Sequence, residues 1–460
     1  MLKRYIGDRH FYKMVMAVAV PIMIQNFITN FVGMLDNIMV GQVGTAEMSG
    51  VAIVNQILFV FYLCLFGAAS GAGIFTAQFF GNLDHEGVRH TFRYKILAGV
   101  VITAVGTAIF LLFGSNLIGV FLRGEGELGE AEKYLSFGEE YLAIMLVGLL
   151  PFAISSAYSS TLRECGQTLV PMVAGIVAVL VNLLLNWVLI FGNLGAPALG
   201  IRGAAIATVI SRFAELAVCA GWTHTHSDRA PFIKGAYRSF AIPKELAIKI
   251  TKKSLPLMAN EALWSVGITT LNWCYSLRSL DVVGAVNIAT TLTNTMSVSL
   301  LAMGNAVGII IGQKLGARKP ESEVLDTTRK LAFFSVAFTA VFAIAQAALS
   351  RVFPGAYNTT SAIRTLASSM ILVHAAVMPA RAFTNASYFT IRSGGQALVT
   401  FLFDSCFVWA VMVPTAFLLS RFSAVPVIVL FAIVEALEFL KCILGYVMLR
   451  SKRWMKTIIN

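Results

Sequence analysis

The chain alternates long apolar runs with short polar stretches. The first run begins at Met14, contains Pro21 and reaches its first formal charge at Asp36. That length fits the roughly 20 residues needed to cross about 30 Å of hydrocarbon. Twelve such runs can be counted, with limits near 14–38, 50–79, 95–118, 140–161, 168–191, 203–223, 254–277, 283–312, 331–350, 366–390, 397–419 and 425–449. The pattern predicts an all-α polytopic membrane protein with twelve transmembrane helices.

Composition agrees with a membrane protein and excludes an ordinary soluble domain. The 460 residues are 57% hydrophobic and 13% charged, whereas soluble domains carry about 25% charged residues. No phosphate-binding loop, haem motif or catalytic constellation is present, so we expect no enzyme, no cofactor and no resident metal. The six cysteines form no CxxC pair, which argues against a zinc site.

The positive charges predict the orientation in the membrane. Loops on the side of the two termini hold 25 of the 35 Lys and Arg residues, and loops on the opposite side hold 7. Cationic loops stay in the cytoplasm. We therefore expect a multi-pass protein of the cytoplasmic membrane with both termini inside. This placement accounts for the net charge of +12 without a nucleic-acid partner.

An internal repeat is visible in the sequence. Residues 161–170 read TLRECGQTLV and residues 390–399 read TIRSGGQALV, an offset of 229. An offset of 235 pairs residues earlier in each half, such as Pro21 with Pro256 and Gly81 with Gly316. Each half contains six of the twelve spans. Because six is even, the two halves insert into the membrane in the same orientation.

The repeat predicts the domain organisation. We expect a first lobe over 1–223, a polar cytoplasmic join over 224–253 and a second lobe over 254–460, related by pseudo-symmetry. Two-lobed membrane proteins of this kind commonly bind substrate between the lobes and alternate its exposure. Because no ATP-binding domain is present, such a transporter would run on an ion gradient.

Asp36 is the first candidate functional residue, because a carboxylate deep in an apolar helix is costly. Pro21 removes a backbone hydrogen-bond donor from the same helix and invites a bend, so we expect a hinge there. Asn182 and Asn186 share one face of span 5, and Thr208 lies in the middle of span 6. With Asp36 these residues would form an oxygen-rich ion-coupling site, or equally an interhelical hydrogen-bond cluster.

Glu261 is the second candidate, since it is the only charge between Lys253 and Arg278. It follows Pro256, a second expected hinge, and could bind a cation or substrate in the second lobe. Asp404 and Arg381 have no obvious local partner, so they could pair across helices or line the cavity of that lobe. His374 is read as a core histidine rather than a proton relay.

The remaining charges within the spans form groups at helical spacing. Arg212 and Glu215 are three residues apart and are expected to pair. Glu435, Glu438 and Lys441 repeat the same spacing in span 12. We expect these three side chains to neutralise one another along one helix.

The whole chain resembles the multidrug and toxic compound extrusion (MATE) family, part of the wider multidrug/oligosaccharidyl-lipid/polysaccharide flippase superfamily. The resemblance rests on Pro21, on LDNIMVGQVG at 35–44 and on TAQFFG at 76–81. Further support comes from the TLRECGQTLVP, NLLLNWVLIFG and GIRGAAIATVIS stretches and from IGQKLG in the second half.

The resemblance implies two six-helix lobes forming a V around a central cavity. It also implies multidrug efflux, the antiport of cationic or amphipathic small molecules against H⁺ or Na⁺, with Asp36, Asn182, Asn186 and Thr208 as the site of the first lobe. Glu261 matches a span-7 glutamate found in some members. In that subset an aspartate of span 10 completes an ion site, whereas span 10 here has Arg381 and no acid, which favours H⁺.

Two other functions fit parts of the sequence. A lipid-linked saccharide flippase of the same superfamily would usually have a more cationic cavity. A non-transporting membrane receptor or scaffold would move no solute. We expect an organic cation and the lipid bilayer as the partners of this chain, and a monomer.

Overall fold

The computed structural model describes residues 5–122 and 128–459, and these residues form twelve long helices. The helices are α1 (Arg9–Gly41), α2 (Thr45–Gly81), α3 (His85–Leu122), α4 (Leu128–Glu164), α5 (Leu169–Phe191), α6 (Ile201–Thr225), α7 (Lys244–Ser276), α8 (Leu280–Gly316), α9 (Glu321–Leu349), α10 (Ser361–Ser393), α11 (Ala397–Phe422) and α12 (Val427–Arg450). The predicted all-α fold with one helix for each apolar run is confirmed.

The helices extend beyond the apolar runs that predict them. The helix α3 begins at His85, whereas the apolar run begins near residue 95. Its first turns are polar but contain no proline or glycine pair that would end a helix, so the backbone continues through them. The polar ends therefore belong to the helices, and hydropathy alone places the helix boundaries too far inside.

Ten of the described helices are long and apolar enough to cross a membrane. The two that fall short are α7 and α12. In α12 the cause is the set of three charges Glu435, Glu438 and Lys441, and in α7 it is the charged first turns together with Asn260 and Glu261. Large apolar side chains cover the outside of the helices, as lipid contact requires; Leu111 and Leu112 are 71% and 73% exposed.

Backbone irregularities mark four helices and α11. Prolines lie inside α1, α4, α7 and α10. The helix α11 contains two π-helical segments, Leu402–Cys406 and Val408–Met412. Such segments are rare and are frequently found at functional sites.

The described residues divide into two compact units. The C-terminal unit comprises 5–23, 77–84 and 252–459, and the N-terminal unit comprises 24–76 and 85–251. The division falls two residues after Pro21 in α1 and five residues before Pro256 in α7. The predicted limits of the lobes, 1–223, 224–253 and 254–460, and the two hinges stay predictions.

Each unit has its own apolar core. In the C-terminal unit, Val15, Ala19 and Ile22 of α1 pack with buried residues of α8 and α10. A second core of the same unit joins α7, α8, α10, α11 and α12. In the N-terminal unit the core joins the second half of α1 with α2 to α6.

Candidate ion-coupling and binding sites

Asp36 is held by amide side chains of α5 in the N-terminal unit. The Asn186 Nδ2 atom donates a hydrogen bond to Asp36 Oδ1 at 2.6 Å. The amide of Asn182 satisfies its neighbours best with its nitrogen toward the carboxylate, where it donates to Oδ1 at 2.8 Å and to Oδ2 at 3.2 Å. In either orientation this amide also bonds Thr208 Oγ1 at 3.2 Å. The four predicted residues therefore form one contiguous group.

The local sequence explains why α5 and α6 present these side chains together. Asn182 and Asn186 are one helical turn apart, and both are buried. On α6, Gly203 allows the two helices to touch, because a Cβ atom there would lie 2.5 Å from the carbonyl oxygen of Leu189. This close approach brings Thr208, five residues further along α6, against the α5 amides.

The group can hold a proton or a small hard cation. It offers one carboxylate, two amide oxygens and a hydroxyl, which are ligands that hard cations prefer. The Asn186 Oδ1 atom is buried and accepts no hydrogen bond from any described residue. A buried acceptor of this kind is costly unless a donor or cation completes it. Nearby, Arg212 pairs with Glu215 at 3.3 Å, as their spacing predicts.

A second polar group surrounds Asp404 in the C-terminal unit. Asp404 lies in the first π-helical segment of α11. Its Oδ1 accepts from Lys441 Nζ at 2.7 Å, and its Oδ2 accepts from Asn260 Nδ2 at 3.2 Å. Asn260 is 1% exposed and is itself fixed by Ser405, whose Oγ donates to the amide oxygen at 2.8 Å. This group joins α7, α11 and α12.

The expected neutralisation along α12 is wrong. Lys441 pairs with Asp404, Glu435 pairs with Arg381 of α10, and Glu438 accepts a hydrogen bond from Thr384 at 2.5 Å. The three α12 side chains share one face, which faces α10 and α11, so cross-helix partners are nearer than their own neighbours. Asp404 and Arg381 thus each have an opposite charge as partner.

Glu261 is adjacent in sequence to Asn260 but is placed differently. Asn260 makes the contact with Asp404, and Glu261 forms no hydrogen bond or ion pair with any described residue. The structure therefore brings Asp404 together with Lys441 and Arg381 together with Glu435, and it leaves Glu261 separate. The binding roles of Glu261, Asp404 and Arg381 stay predictions.

Sequence reasoning missed two features: the contact of Asn260 with Asp404, and the ion pair of Lys95 and Glu164. Lys95 is 4% exposed; it pairs with Glu164 and donates to Thr161 Oγ1 at 3.1 Å. The two residues lie at the edges of the predicted apolar runs 95–118 and 140–161, where charges are expected to be solvated. Their signal in the sequence is that each adjoins an apolar run without an intervening turn residue.

These observations define a class of protein: a polytopic membrane protein of two repeated halves with buried, ionisable groups in both. The family model MatE matches the chain over residues 21–188 and 256–418, once in each half. The chain is 24% identical over 425 residues to the probable multidrug resistance protein NorM of Thermotoga maritima, covering 89% of this chain and 86% of that one. It is 25% identical over 423 residues to the probable multidrug resistance protein YoeA of Bacillus subtilis, covering 89% and 87%.

Solved structures share the same fold. The Vibrio cholerae MATE transporter VcmN in its bent form superposes with a TM-score of 0.84 at 17% identity, over 97% of this chain and 99% of that chain. An outward-facing MATE transporter gives a TM-score of 0.83 at 18% identity, over 98% and 97%. The chain belongs to the MatE family, and it is a membrane transporter rather than an enzyme.

Proposed function

We propose that this transporter exports cationic or amphipathic small molecules in exchange for protons that bind at Asp36. The observation that carries the proposal is the contact of the Asp36 carboxylate with Asn186 at 2.6 Å, beside an unsatisfied amide oxygen. A carboxylate in that setting has a different set of favourable contacts when it gains or loses a proton. The names of the curated relatives, probable multidrug resistance proteins, support drug efflux as the direction.

Protons are favoured over Na⁺ by the chemistry of the C-terminal unit. Sodium would need an acidic side chain free to coordinate it. Asp404 already binds the ammonium group of Lys441, and Arg381 occupies Glu435. Glu261 forms no ion pair with any described residue, but α10 offers no second acidic side chain to complete a Na⁺ site with it, so Glu261 is better suited to an organic cation.

Transport by purified protein in liposomes tests the proposal. A fluorescent organic cation such as ethidium is loaded, and either a pH gradient or a Na⁺ gradient is imposed. We expect the pH gradient to drive transport by the wild type, and Asp36→Asn to abolish it while the protein still folds and inserts. The matched control is Asp228→Asn, an exposed aspartate outside the spans, which should transport as the wild type does.

Three results would contradict the proposal in different ways. Transport driven only by Na⁺ would replace the coupling ion. Wild-type rates in Asp36→Asn would remove that residue from coupling. No transport under either gradient would favour the flippase function, to be tested next with lipid-linked saccharides, or a non-transporting role.

The same proposal includes the orientation of the chain. The excess of Lys and Arg on the side of the termini supports a cytoplasmic location for both ends. Fluorescent-protein and alkaline-phosphatase fusions to each terminus test this in bacteria. Fluorescence without phosphatase activity is expected at both ends, and phosphatase activity at either end would contradict the orientation.

A further inference from the structure

His374 contacts, through Glu435, one end of a buried group of charged side chains in which carboxyl groups outnumber basic side chains. The cluster contains the carboxylates of Asp404, Glu435 and Glu438 and the permanent cations Arg381 and Lys441. Three carboxyl groups thus face two basic side chains. The imbalance lies among side chains that are largely buried, where an uncompensated charge is costly.

The imidazole of His374 is placed to supply the missing charge. Its Nδ1 atom lies 3.4 Å from Glu435 Oε2, and the residue is 6% exposed. Neither ring nitrogen makes a hydrogen bond of good geometry with any described residue. A neutral ring can at best donate Nδ1–H toward Glu435, whereas a protonated ring adds the attraction of an ion pair to the same contact.

Among the described residues, the surroundings of the ring add no other compensating charge. From α12, Glu435 faces it and Phe431 packs edge-on at 5.0 Å; from α7, Tyr275 packs against Phe431. The helices α8 and α9 meet this part of α10 at neutral Thr293 and Gln346.

The charged residues of the neighbouring helices lie further away or are already paired. On α8 and α9 they are twelve or more residues along the helix from those two contacts. Within α10, Arg381 lies two turns away on the same face and shares Glu435 with the ring. On α11, Asp404 is held by Lys441.

We propose that His374 and Glu435 form a second proton-binding site of this transporter, in the C-terminal unit and separate from Asp36. The geometry suits a switch, because Glu435 Oε2 contacts both the ring and the Arg381 guanidinium. When the ring loses its proton, Glu435 has Arg381 as its only cationic partner in this group. Loss of the charge on the ring therefore alters the Arg381–Glu435 contact, which joins α10 and α12. In the sequence of α10, Pro379 lies between His374 and Arg381. The proposal rests on proton-coupled transport as proposed above.

The direct test measures the protonation of the ring and does not need transport. Protein labelled with ¹⁵N and ¹³C at its six histidines is placed in lipid nanodiscs, and the His374 signal is assigned from its loss in His374→Gln. We expect the charged form of the ring to be the main one at pH 6 in the wild type. In Glu435→Gln its fraction should fall at least twofold. A ring that stays neutral down to pH 5 would overturn the proposal.

A second measurement connects the site with the ligand. Protons released on binding of tetraphenylphosphonium are counted in weakly buffered detergent solution. We expect His374→Gln and Asp36→Asn each to release about one proton fewer than the wild type, and the exposed control His10→Gln to release the same number. Equal release by His374→Gln and the wild type would overturn a coupling role. Failure of all variants to bind the cation would count against the proposed substrate class, while the spectroscopic result on His374 would still stand.

Discussion

Gly81 and Gly316, which are pseudo-equivalent residues of the two halves, each pack against the backbone of the other's helix. A Cβ atom on Gly81 would lie 1.9 Å from the carbonyl oxygen of Gln313, and one on Gly316 would lie 1.9 Å from that of Gln78. Gly81 and Gly316 are 235 residues apart in the sequence, and so are Gln78 and Gln313. The ends of α2 and α8 therefore cross with their backbones in contact within the C-terminal unit. Equivalent residues of the two halves make this contact reciprocally.

This contact predicts that Gly81→Ala lowers stability. The methyl group has no room against a backbone carbonyl, so the two helices must separate. We expect a fall in the thermal unfolding temperature of several degrees, since 1 kcal/mol corresponds to a few degrees for proteins of this kind. Gly221→Ala is the matched control, because nothing lies within 4 Å of its Cβ position on α6, and alanine favours the helix there. Equal effects of the two substitutions would contradict the crossing.

Gln78 predicts a link between α2 and the last residues of the chain. Its amide nitrogen donates to the carbonyl oxygens of Ser393 at 2.9 Å and Lys456 at 3.1 Å, and its amide oxygen accepts from the Ile458 N–H at 2.8 Å. Gln78→Leu leaves three buried or half-buried backbone groups without this partner. We expect the unfolding temperature to fall and proteolysis after residue 450 to become faster. Gln42→Leu, at an exposed position, should change neither.

The pair of Asp404 and Lys441 predicts a strong coupling energy. Lys441→Met leaves the Asp404 carboxylate without its cation, which should destabilise the protein by about 3–5 kcal/mol. The double variant Asp404→Asn with Lys441→Met removes both charges and should recover most of that loss. Thermal or denaturant unfolding in one detergent measures the full cycle. Additive losses in the double variant would mean that the two side chains do not interact.

Replacement of Asn186 is predicted to reduce transport while the Asp36 carboxylate is kept. Asn186→Ala removes the 2.6 Å hydrogen bond to Asp36 and keeps the carboxylate. We expect efflux driven by a pH gradient to fall roughly tenfold, which corresponds to about 1.4 kcal/mol, and its pH dependence to shift relative to the wild type. Asn116→Ala, at an exposed position of α3, is the control and should leave both unchanged. A wild-type pH profile in Asn186→Ala would remove the amide from the coupling site.

The sequence by itself determined the fold class, the number of spans and the repeat that relates the two halves. Hydrophobic runs of fixed length and a steady repeat offset are local, one-dimensional signals, and a membrane leaves a helix as the main way to satisfy the backbone. The same logic found Asp36, Asn182, Asn186 and Thr208, because buried polar residues at helical spacing stand out against an apolar background.

Only the tertiary structure decided how the charges are partnered. Spacing along α12 suggested that Glu435, Glu438 and Lys441 would neutralise one another, yet Lys441 binds Asp404 and Glu435 binds Arg381. Helical spacing records which side chains share a face, but not which helix lies opposite that face. For the same reason the sequence could not distinguish Asn260 from Glu261 as the partner of Asp404, since one residue turns a helix by 100°. The charge imbalance near His374 can be recognised only when these partners are known.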